Sequence, residues 1–394
     1  MHPVLRSLLL ALLFLPFTVT AEEFRACVDR LADQAAGEGI SVATIDGALR
    51  PIERQVRVVE LDRRQPEFVQ TFWQYYAARV SDTRLETGRE RLEEYRPLLE
   101  RVHADYGVRP EYLVSLWGLE TNFGSHFGSM PVLDSLGTLA CDPRRARFFG
   151  EQLMAALRLI DAGHMAPEQM RGSWAGAMGH MQFMPATFER HAVDATGDGR
   201  SDPWQNLEDA LATGANYLRN MGWRDGERWG REVSLPDDFD YGLADIGSRR
   251  PLAEWADLGV RRVDGGALPQ ADMEAAMLLP AGHRGPAFLV YHNFHVIMRW
   301  NTSTSYALAV GLLADQLSGQ PGLQTSEPAD SDPLRRDDVE ELQQRLADQG
   351  FDPGPVDGIL GRQTRAAVRA FQRANDLPAD GYPDPRLLEQ LRTL

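Results

Sequence analysis

The chain has 394 residues, of which 43% are hydrophobic and 25% are charged, and its formal net charge is −16. This length exceeds one ordinary globular core, so we expect two or three domains. All of the basic side chains other than histidine are arginines, and the acidic excess argues against a general attraction for nucleic acid or an anionic membrane surface.

Residues 1–21 have the order of a secretory signal: an arginine, a leucine-rich run and then small residues. The apolar run is short for a membrane span. We therefore predict export to the periplasm with cleavage after Ala21, and an N-terminal membrane anchor is the alternative. An oxidising compartment would allow Cys27 and Cys141 to form a disulfide, although the sequence leaves their distance open.

The segment SLWGLETNFG, residues 115–124, places a glutamate among apolar residues. Pro110 suits the first turn of a helix, and Gly124 suits a position just past its end. Four residues then share one face: Leu113, Leu116, Trp117 and Glu120. A carboxylate facing a core must be paired, hydrogen-bonded or protonated, and a protonated glutamate can act as a general acid near neutral pH. Glu120 is therefore the candidate catalytic acid, with a structural ion pair or cap as the alternative.

The segment SWAGAMGHMQFMP, residues 173–185, is rich in small residues that let the backbone approach a helix or an extended ligand. It lacks the lysine and the spacing of a phosphate-binding loop. Gln182 offers a donor and an acceptor, which suits the hydroxyl and acetamido groups of a sugar. Tight helix packing explains the glycines equally well.

Residues 194–209, DATGDGRSDPWQNLED, resemble an oxygen-ligand calcium loop. The ligands at positions one, three, five, seven and nine of such a loop would be Asp194, Thr196, Asp198, the carbonyl of Arg200, and Asp202. Position twelve is Gln205, which cannot supply a bidentate carboxylate, so Glu208 or Asp209 would have to complete the ligand set. The alternative is a metal-free loop of Asx turns.

The remaining segments predict helices around one β-rich insertion. Residues 22–101 and 207–221 have helical patterns, residues 223–291 contain short apolar runs separated by glycine and proline, and residues 293–317 return to one helix. A linker rich in serine, proline and glycine follows at 319–333. Residues 334–394 then predict a three-helix bundle.

Five strings, in family order, make residues 24–317 resemble the soluble and membrane-bound lytic transglycosylases B, which cleave bacterial peptidoglycan. They are GLETNFG, SWAGAMGHMQFMP, the aspartate loop at 194–209, ANYL at 215–218, and NFHVIMRWNTSTSYALAVGLLAD at 293–315. DGILGRQTRAAVRAFQ, residues 357–372, resembles the peptidoglycan-binding-domain-1 module.

The resemblance implies a mainly α (α+β) fold, with a lysozyme-like catalytic domain at 22–318, a β-rich insertion within it, and a peptidoglycan-binding bundle at 334–394. It implies Glu120 as the sole catalytic acid and base. The saccharide groove would be lined by Ser173, Gln182, Tyr217, Asn301 and Tyr306. Asp209 would be the late ligand of a structural calcium ion. Trp300 departs from the tyrosine that the family is expected to have before the asparagine.

The implied reaction is non-hydrolytic cleavage of the β-1,4 bond between N-acetylmuramic acid and N-acetylglucosamine, which leaves a 1,6-anhydro end and requires no cofactor for the chemistry. One alternative is a hydrolytic muramidase that uses a second acid, such as Asp134 or Asp142. The other is a non-catalytic wall-binding scaffold.

Expected partners are peptidoglycan strands and proteins of cell-wall synthesis or division, with no nucleic acid. The C-terminal module is expected to anchor the enzyme to peptidoglycan, with a protein-interaction role as the alternative. Endolytic or exolytic action and stem-peptide preference stay open.

Overall fold

The computed structural model describes residues 20–64, 70–329 and 331–394, so the predicted signal segment lies outside the described residues except for Thr20 and Ala21. The chain forms two compact units. Unit 1 takes its described residues from 20–64, 129–177 and 184–189, and unit 2 takes them from 70–128, 178–183 and 190–394. The domain boundaries predicted along the sequence stay a prediction.

The fold is mainly helical, as predicted. The helices are α1 Ala21–Gly37, α2 Val42–Thr44, α3 Val56–Arg64, α4 Phe72–Arg79, α5 Asp82–Glu94, α6 Arg96–Tyr106, α7 Pro110–Thr121, α8 Val132–Ala140, α9 Ala146–Asp161, α10 Pro185–His191, α11 Leu207–Asn220, α12 Leu252–Asp257, α13 His292–Trp300, α14 Thr304–Leu317, α15 Arg336–Asp348, α16 Arg362–Ala374 and α17 Pro385–Thr393. The strands are β1 Met130–Pro131, β2 Arg171–Gly172, β3 Gly230–Ser234, β4 Arg250–Pro251, β5 Arg261–Arg262, β6 Glu274–Leu278 and β7 Ala287–Val290.

Unit 1 is built on the packed pair α8 and α9, beside the short antiparallel pair β1 and β2. A disulfide joins Cys27 of α1 to Cys141, the residue after α8, with their Cα atoms 6.0 Å apart. The buried carboxylate of Asp62 pairs with Arg144 and Arg145. The disulfide and this ion cluster tie the N-terminal helices to α8 and α9, which are distant in sequence.

Helix α7 lies at the centre of unit 2, packed against α5, α6 and α14. The sequence predicted one buried face, but every residue from Tyr112 to Gly118 is buried. The helix is buried around its circumference because neighbouring helices cover its sides. Helices α5, α6, α11 and α14 thus hold the last turn of α7, which carries Glu120, within a packed core.

The β-rich insertion is confirmed as a five-stranded antiparallel sheet in the order β4-β6-β7-β3-β5. One side of the sheet packs on Trp255 of α12, which is fully buried and whose indole N–H donates to the carbonyl of Ala275 at 3.0 Å. The insertion therefore has a hydrophobic core of its own.

The single helix predicted for residues 293–317 is wrong in one respect, because the chain breaks between α13 and α14. Asn301 adopts an extended conformation, and its side chain accepts a hydrogen bond from the Ser303 amide at 3.0 Å. The Ser303 hydroxyl caps α14 by accepting from the Tyr306 amide. These short polar side chains satisfy backbone groups that a continuous helix would use itself, so α13 ends here and α14 begins as a separate helix.

Helices α15, α16 and α17 form the predicted three-helix bundle around Leu342, Val368, Phe371 and Leu388. The turn before α16 is fixed by the buried amide of Gln343, which accepts from the amides of Asp357 and Gly358 at 3.0 Å each. No helix among the described residues has the length and apolar character needed to cross a membrane.

Candidate active site

The end of α7 is shaped by three consecutive residues in the left-handed backbone region: Asn122, Phe123 and Gly124. Gly124 is required there, because a Cβ atom would lie 2.5 Å from the ring of His180. His180 also accepts at its ring from the Trp117 indole, at 2.9 Å, and at its carbonyl from the Thr121 hydroxyl, at 2.8 Å. These contacts fix the last turn of α7, and with it the direction of Glu120.

Two hydrogen bonds converge on one oxygen of Glu120. The Trp300 indole N–H donates to Oε1 at 2.9 Å, and the Tyr306 hydroxyl donates to the same oxygen at 2.5 Å. Trp300 ends α13 and Tyr306 lies in the first turn of α14, so the helix break brings both donors to the glutamate. Tyr306 is only 4% exposed.

Burial raises the pKa of Glu120 to about 7, against the opposing effects of the Tyr306 and Trp300 hydrogen bonds and the charge of Arg79. Burial also raises the pKa of Tyr306 well above its ordinary value, and the nearby Glu120 adds to the effect. The phenol therefore stays neutral and continues to donate. At neutral pH both the acid and the carboxylate form of Glu120 are populated, which suits a group that gives up a proton and then takes one back.

Tyr217 and Asn301, both predicted to line a saccharide groove, have different surroundings. Tyr217 is 8% exposed, and its hydroxyl donates to the carbonyl of Arg299 at 2.6 Å. Its ring meets Trp300 edge to face at 5.3 Å between centroids. Tyr217 thus supports Trp300, whereas Asn301 is exposed at the break between α13 and α14.

Gln182 is held in the left-handed backbone region, with φ of 48°. Its side-chain nitrogen donates to the carbonyl of Gly179 at 2.9 Å and to that of Phe127 at 3.2 Å. Gly179 also has a positive φ, and a Cβ atom there would lie 2.3 Å from the carbonyl oxygen of Pro203. The glycine-rich segment therefore provides a close backbone approach, here to the loop carbonyl of Pro203 rather than to a helix, and holds Gln182 in one orientation.

Ser173 belongs to unit 1, where its hydroxyl accepts from the Ala177 amide at 3.0 Å. The contacts around Glu120 described above lie within unit 2. Arg79 and His180 are functional candidates that the sequence did not reveal, because their effects depend on packing between segments far apart in the chain. Trp300 did carry a signal, since it departs from the expected tyrosine.

The aspartate loop is closed largely by hydrogen bonds to its own backbone. Asp194 accepts from the amides of Gly197 and Gly199 at 2.7 Å each. Asp209, 1% exposed, accepts from the Ala195 amide at 2.9 Å and from the Asp202 amide at 3.0 Å. Asp209 thus ties the two ends of the loop together.

Burial raises the pKa of Asp209, and the charges of Asp194 and Asp198 add to that effect. The loop offers carboxylate, hydroxyl and carbonyl oxygens, which are the ligands that calcium prefers. A divalent cation would also relieve the repulsion between the carboxylates. The chemistry of the loop therefore fits calcium. No three His, Cys, Asp or Glu side chains in the described part of the chain are gathered closely enough to hold a metal ion as they stand.

The chain matches two protein families. Residues 23–315 match the transglycosylase SLT domain, and residues 335–391 match the putative peptidoglycan binding domain. Among curated proteins, the membrane-bound lytic murein transglycosylase B of Escherichia coli is 30% identical over 288 residues, which cover 70% of this chain and 74% of that protein.

Two solved structures extend the comparison. SltB3 of Pseudomonas aeruginosa, in complex with NAG-anhNAM-pentapeptide, is 47% identical, with a TM-score of 0.89, and the match covers 94% of this chain and 99% of that one. The lytic transglycosylase Slt35 of Escherichia coli, in complex with calcium, is 28% identical, with a TM-score of 0.65 and coverage of 74% and 92%. The residues and geometry around Glu120 thus lie in a region, 23–315, that matches one domain family throughout, and the chain belongs to the transglycosylase SLT family.

Proposed function

We propose that the chain is a lytic transglycosylase that cleaves the β-1,4 bond between N-acetylmuramic acid and N-acetylglucosamine, with Glu120 as its single acid and base. Protonated Glu120 gives its proton to the glycosidic oxygen as the bond from that oxygen to C1 breaks. The muramyl C6 hydroxyl then bonds to C1, and its proton passes to the Glu120 carboxylate. Water is not consumed, the product has a 1,6-anhydro end, and the glutamate returns to its acid form.

The observation that carries this proposal is one partly buried carboxyl with a pKa of about 7. Of the described residues, those that act most on this pKa are Tyr306, Trp300 and Arg79, and none of them has a carboxyl group. Ordinary glycosidases use a pair of carboxylates about 5 to 9.5 Å apart. One carboxylate suffices when the nucleophile is a hydroxyl of the substrate itself.

The rival hydrolytic mechanism needs a second acid, and both candidates have partners within unit 1. Asp134 accepts from the Glu53 amide at 3.1 Å and from Gln55 at 3.0 Å. Asp142 pairs with Arg63 at 3.2 Å. These contacts favour structural roles for both aspartates.

We assign the other predicted groove residues according to their contacts. Asn301 would meet the glycan directly, since it is exposed next to Trp300. The anchored amide of Gln182 would accept a sugar hydroxyl or acetamido hydrogen through its oxygen. Tyr217 would act through Trp300, and Tyr306 through Glu120. Ser173 stays a predicted saccharide-binding residue.

Digestion of purified peptidoglycan in water labelled with a heavy oxygen isotope tests the reaction. Mass spectrometry should find 1,6-anhydro muropeptides without the label. Labelled reducing-end products would instead establish a hydrolase, and an absence of any cleavage by folded protein would favour the scaffold alternative.

The C-terminal bundle is proposed to hold the enzyme on peptidoglycan and so raise the local concentration of glycan. The family match of residues 335–391 supports this role. Full-length protein should sediment with peptidoglycan sacculi more completely than a chain ending at Ser318. Equal sedimentation of the two chains would contradict anchoring.

Calcium is proposed as a structural ligand of the loop between Asp194 and Asp209, with no part in the chemistry. The carboxylates and the Arg200 carbonyl would hold it, and its charge would offset their repulsion. A ligand that binds only the folded state raises the melting temperature, so calcium should stabilise the wild-type protein, and Asp198→Ala, which removes the ligand oxygen, should lose that response. An identical melting temperature in calcium and in chelator would contradict the proposal.

Export to the periplasm is proposed from residues 1–21, which have the order of a cleaved signal. The disulfide between Cys27 and Cys141 supports an oxidising compartment. The mature protein purified from the periplasm should begin at Glu22. A mature chain that keeps residue 1 and stays in the membrane fraction would establish the anchored alternative.

A further inference from the structure

The indole N–H of Trp300 donates a hydrogen bond to Glu120, and this group cannot accept one in return. Its nitrogen lies 2.9 Å from Oε1, and the Tyr306 hydroxyl lies 2.5 Å from the same oxygen. A carboxylate oxygen has two lone-pair positions, and both receive a hydrogen here. We propose that Trp300 is a positioning residue that keeps the acid proton of Glu120 on Oε2, and so fixes the one oxygen that exchanges protons with the glycan.

The donor-only character of the indole is what distinguishes it from a tyrosine. A hydroxyl can rotate and accept a hydrogen from a protonated Oε1, and the Tyr306 hydroxyl has this freedom. An indole N–H has no lone pair to offer, so a proton on Oε1 would face the indole hydrogen directly. Trp300 therefore excludes the arrangement that Tyr306 alone would allow.

The ring of Trp300 is held in one direction by its neighbours. Its centroid lies 4.6 Å from that of Phe183 and 5.3 Å from that of Tyr217. Gly214 leaves room beneath the ring, since a Cβ atom there would approach the Met181 methyl at 2.9 Å and the indole at 3.5 Å. Packing within the protein therefore holds the N–H toward Glu120.

Several charged or titratable groups act on Glu120 and its donors. Tyr306 faces the carboxylate from α14 and Arg79 acts on it from α4, while Tyr75 of α4 acts on Tyr306. The two hydrogen bonds and Arg79 favour the carboxylate form, and burial favours the acid. Removing the indole N–H takes away one hydrogen bond that stabilises the carboxylate, so burial raises the pKa of Glu120 further. The acid form then persists to higher pH, and the alkaline limb of the rate moves upward.

The test rests on the proposed function and compares three full-length variants on a defined glycan. Replacing Trp300 with 3-benzothienylalanine keeps the bicyclic ring but lacks its N–H, Trp300→Phe removes the bicyclic ring, and Trp300→Tyr restores a donor. The pH dependence of kcat/KM reports the acid of the free enzyme. Loss of one hydrogen bond to a charged group should move the alkaline limb up by about one pH unit in the first two variants.

The tyrosine variant should bring the alkaline limb only part of the way back, because its hydroxyl can donate to the carboxylate but can also accept from the acid form. If the benzothienyl and phenylalanine variants are slower but keep the wild-type limb, Trp300 serves only to pack the site and the inference is overturned. If the wild type itself forms no anhydro product, the proposed function fails, and with it the basis of the inference. The two failures are therefore distinguishable.

Discussion

The Tyr306 hydroxyl donates to Oε1 of Glu120 at 2.5 Å, from a side chain that is only 4% exposed. The hydroxyl stabilises the carboxylate that forms after the first proton transfer. The short contact and the burial make it a strong hydrogen bond to a group that changes charge during the reaction.

Tyr306→Phe should therefore slow glycan cleavage by about 10- to 100-fold, the range expected when one hydrogen bond to a charged group is lost. Turnover of a defined glycan measures the effect. Tyr76→Phe is the matched control. The Tyr76 hydroxyl also contacts α14, where it accepts a hydrogen bond from the side-chain amide of Gln316 at 3.5 Å. Equal rates for wild type and Tyr306→Phe would show that the contact has no part in turnover.

The raised pKa of Glu120 predicts a pH-dependent stability. The folded chain keeps the proton up to about pH 7, whereas the unfolded chain releases it near 4.5, so the wild type loses stability as the pH rises between these values. Gln at position 120 mimics the protonated acid at every pH. Glu120→Gln should therefore unfold at the same denaturant concentration as wild type at pH 4, and be more stable by about 3 kcal/mol at pH 9.

The matched control for this stability effect is Glu100→Gln, which changes an exposed glutamate on α6. Its stability relative to wild type should not depend on pH in this way. Glu120→Gln that is equally stable at both pH values would contradict the raised pKa.

The disulfide closes a loop between residues 114 positions apart in the sequence. A cross-link between such distant residues lowers the conformational entropy of the unfolded chain. Its loss should therefore cost roughly 3–5 kcal/mol of stability. The double variant Cys27→Ser with Cys141→Ser should melt at a lower temperature, and a reductant should destabilise only the wild type. A reductant that leaves the wild-type melting temperature unchanged would contradict a stabilising cross-link.

Asp380 of the C-terminal bundle lies against the β-rich insertion, where its carboxylate accepts from the amide and the ring of His283 at 2.7 Å each. Its other oxygen accepts from Gln372 at 2.7 Å. Asp380→Asn replaces one accepting oxygen with an NH2 group, which cannot accept these hydrogen bonds. The bundle should then be held less firmly, and protease cleavage within the predicted linker at 319–333 should become several-fold faster. Asp376→Asn changes an exposed aspartate of the same bundle and should leave cleavage unchanged. Equal cleavage of all three chains would show that the Asp380 contact does not hold the bundle.

The sequence predicted the parts of the site that depend on local patterns. Pro110 and Gly124 bracket the helix that carries Glu120, and the turn residues of the insertion separate its strands. The break between α13 and α14 was missed, although the five polar residues at 301–305 interrupt the apolar pattern there. Capping by Asn301 and Ser303 ends one helix and starts the next at this point.

Other relationships depend on packing between distant segments. Arg79 acts on a glutamate 41 positions later in the sequence, and His283 meets an aspartate 97 positions later. Neither separation follows a helical or strand periodicity, so a single sequence does not reveal the contact. Trp300 was recognisable as a departure from a family pattern, but its hydrogen bond to Glu120 depends on the helix break.

Glycan cleavage by Glu120→Gln tests the central claim most directly, with Glu100→Gln as the control. Purified peptidoglycan is digested with each full-length protein, and 1,6-anhydro muropeptides are quantified by mass spectrometry. A single acid and base predicts that Glu120→Gln forms them about 10³-fold or more slowly, while Glu100→Gln matches the wild type. Folded Glu120→Gln that forms anhydro products at the wild-type rate would contradict the account.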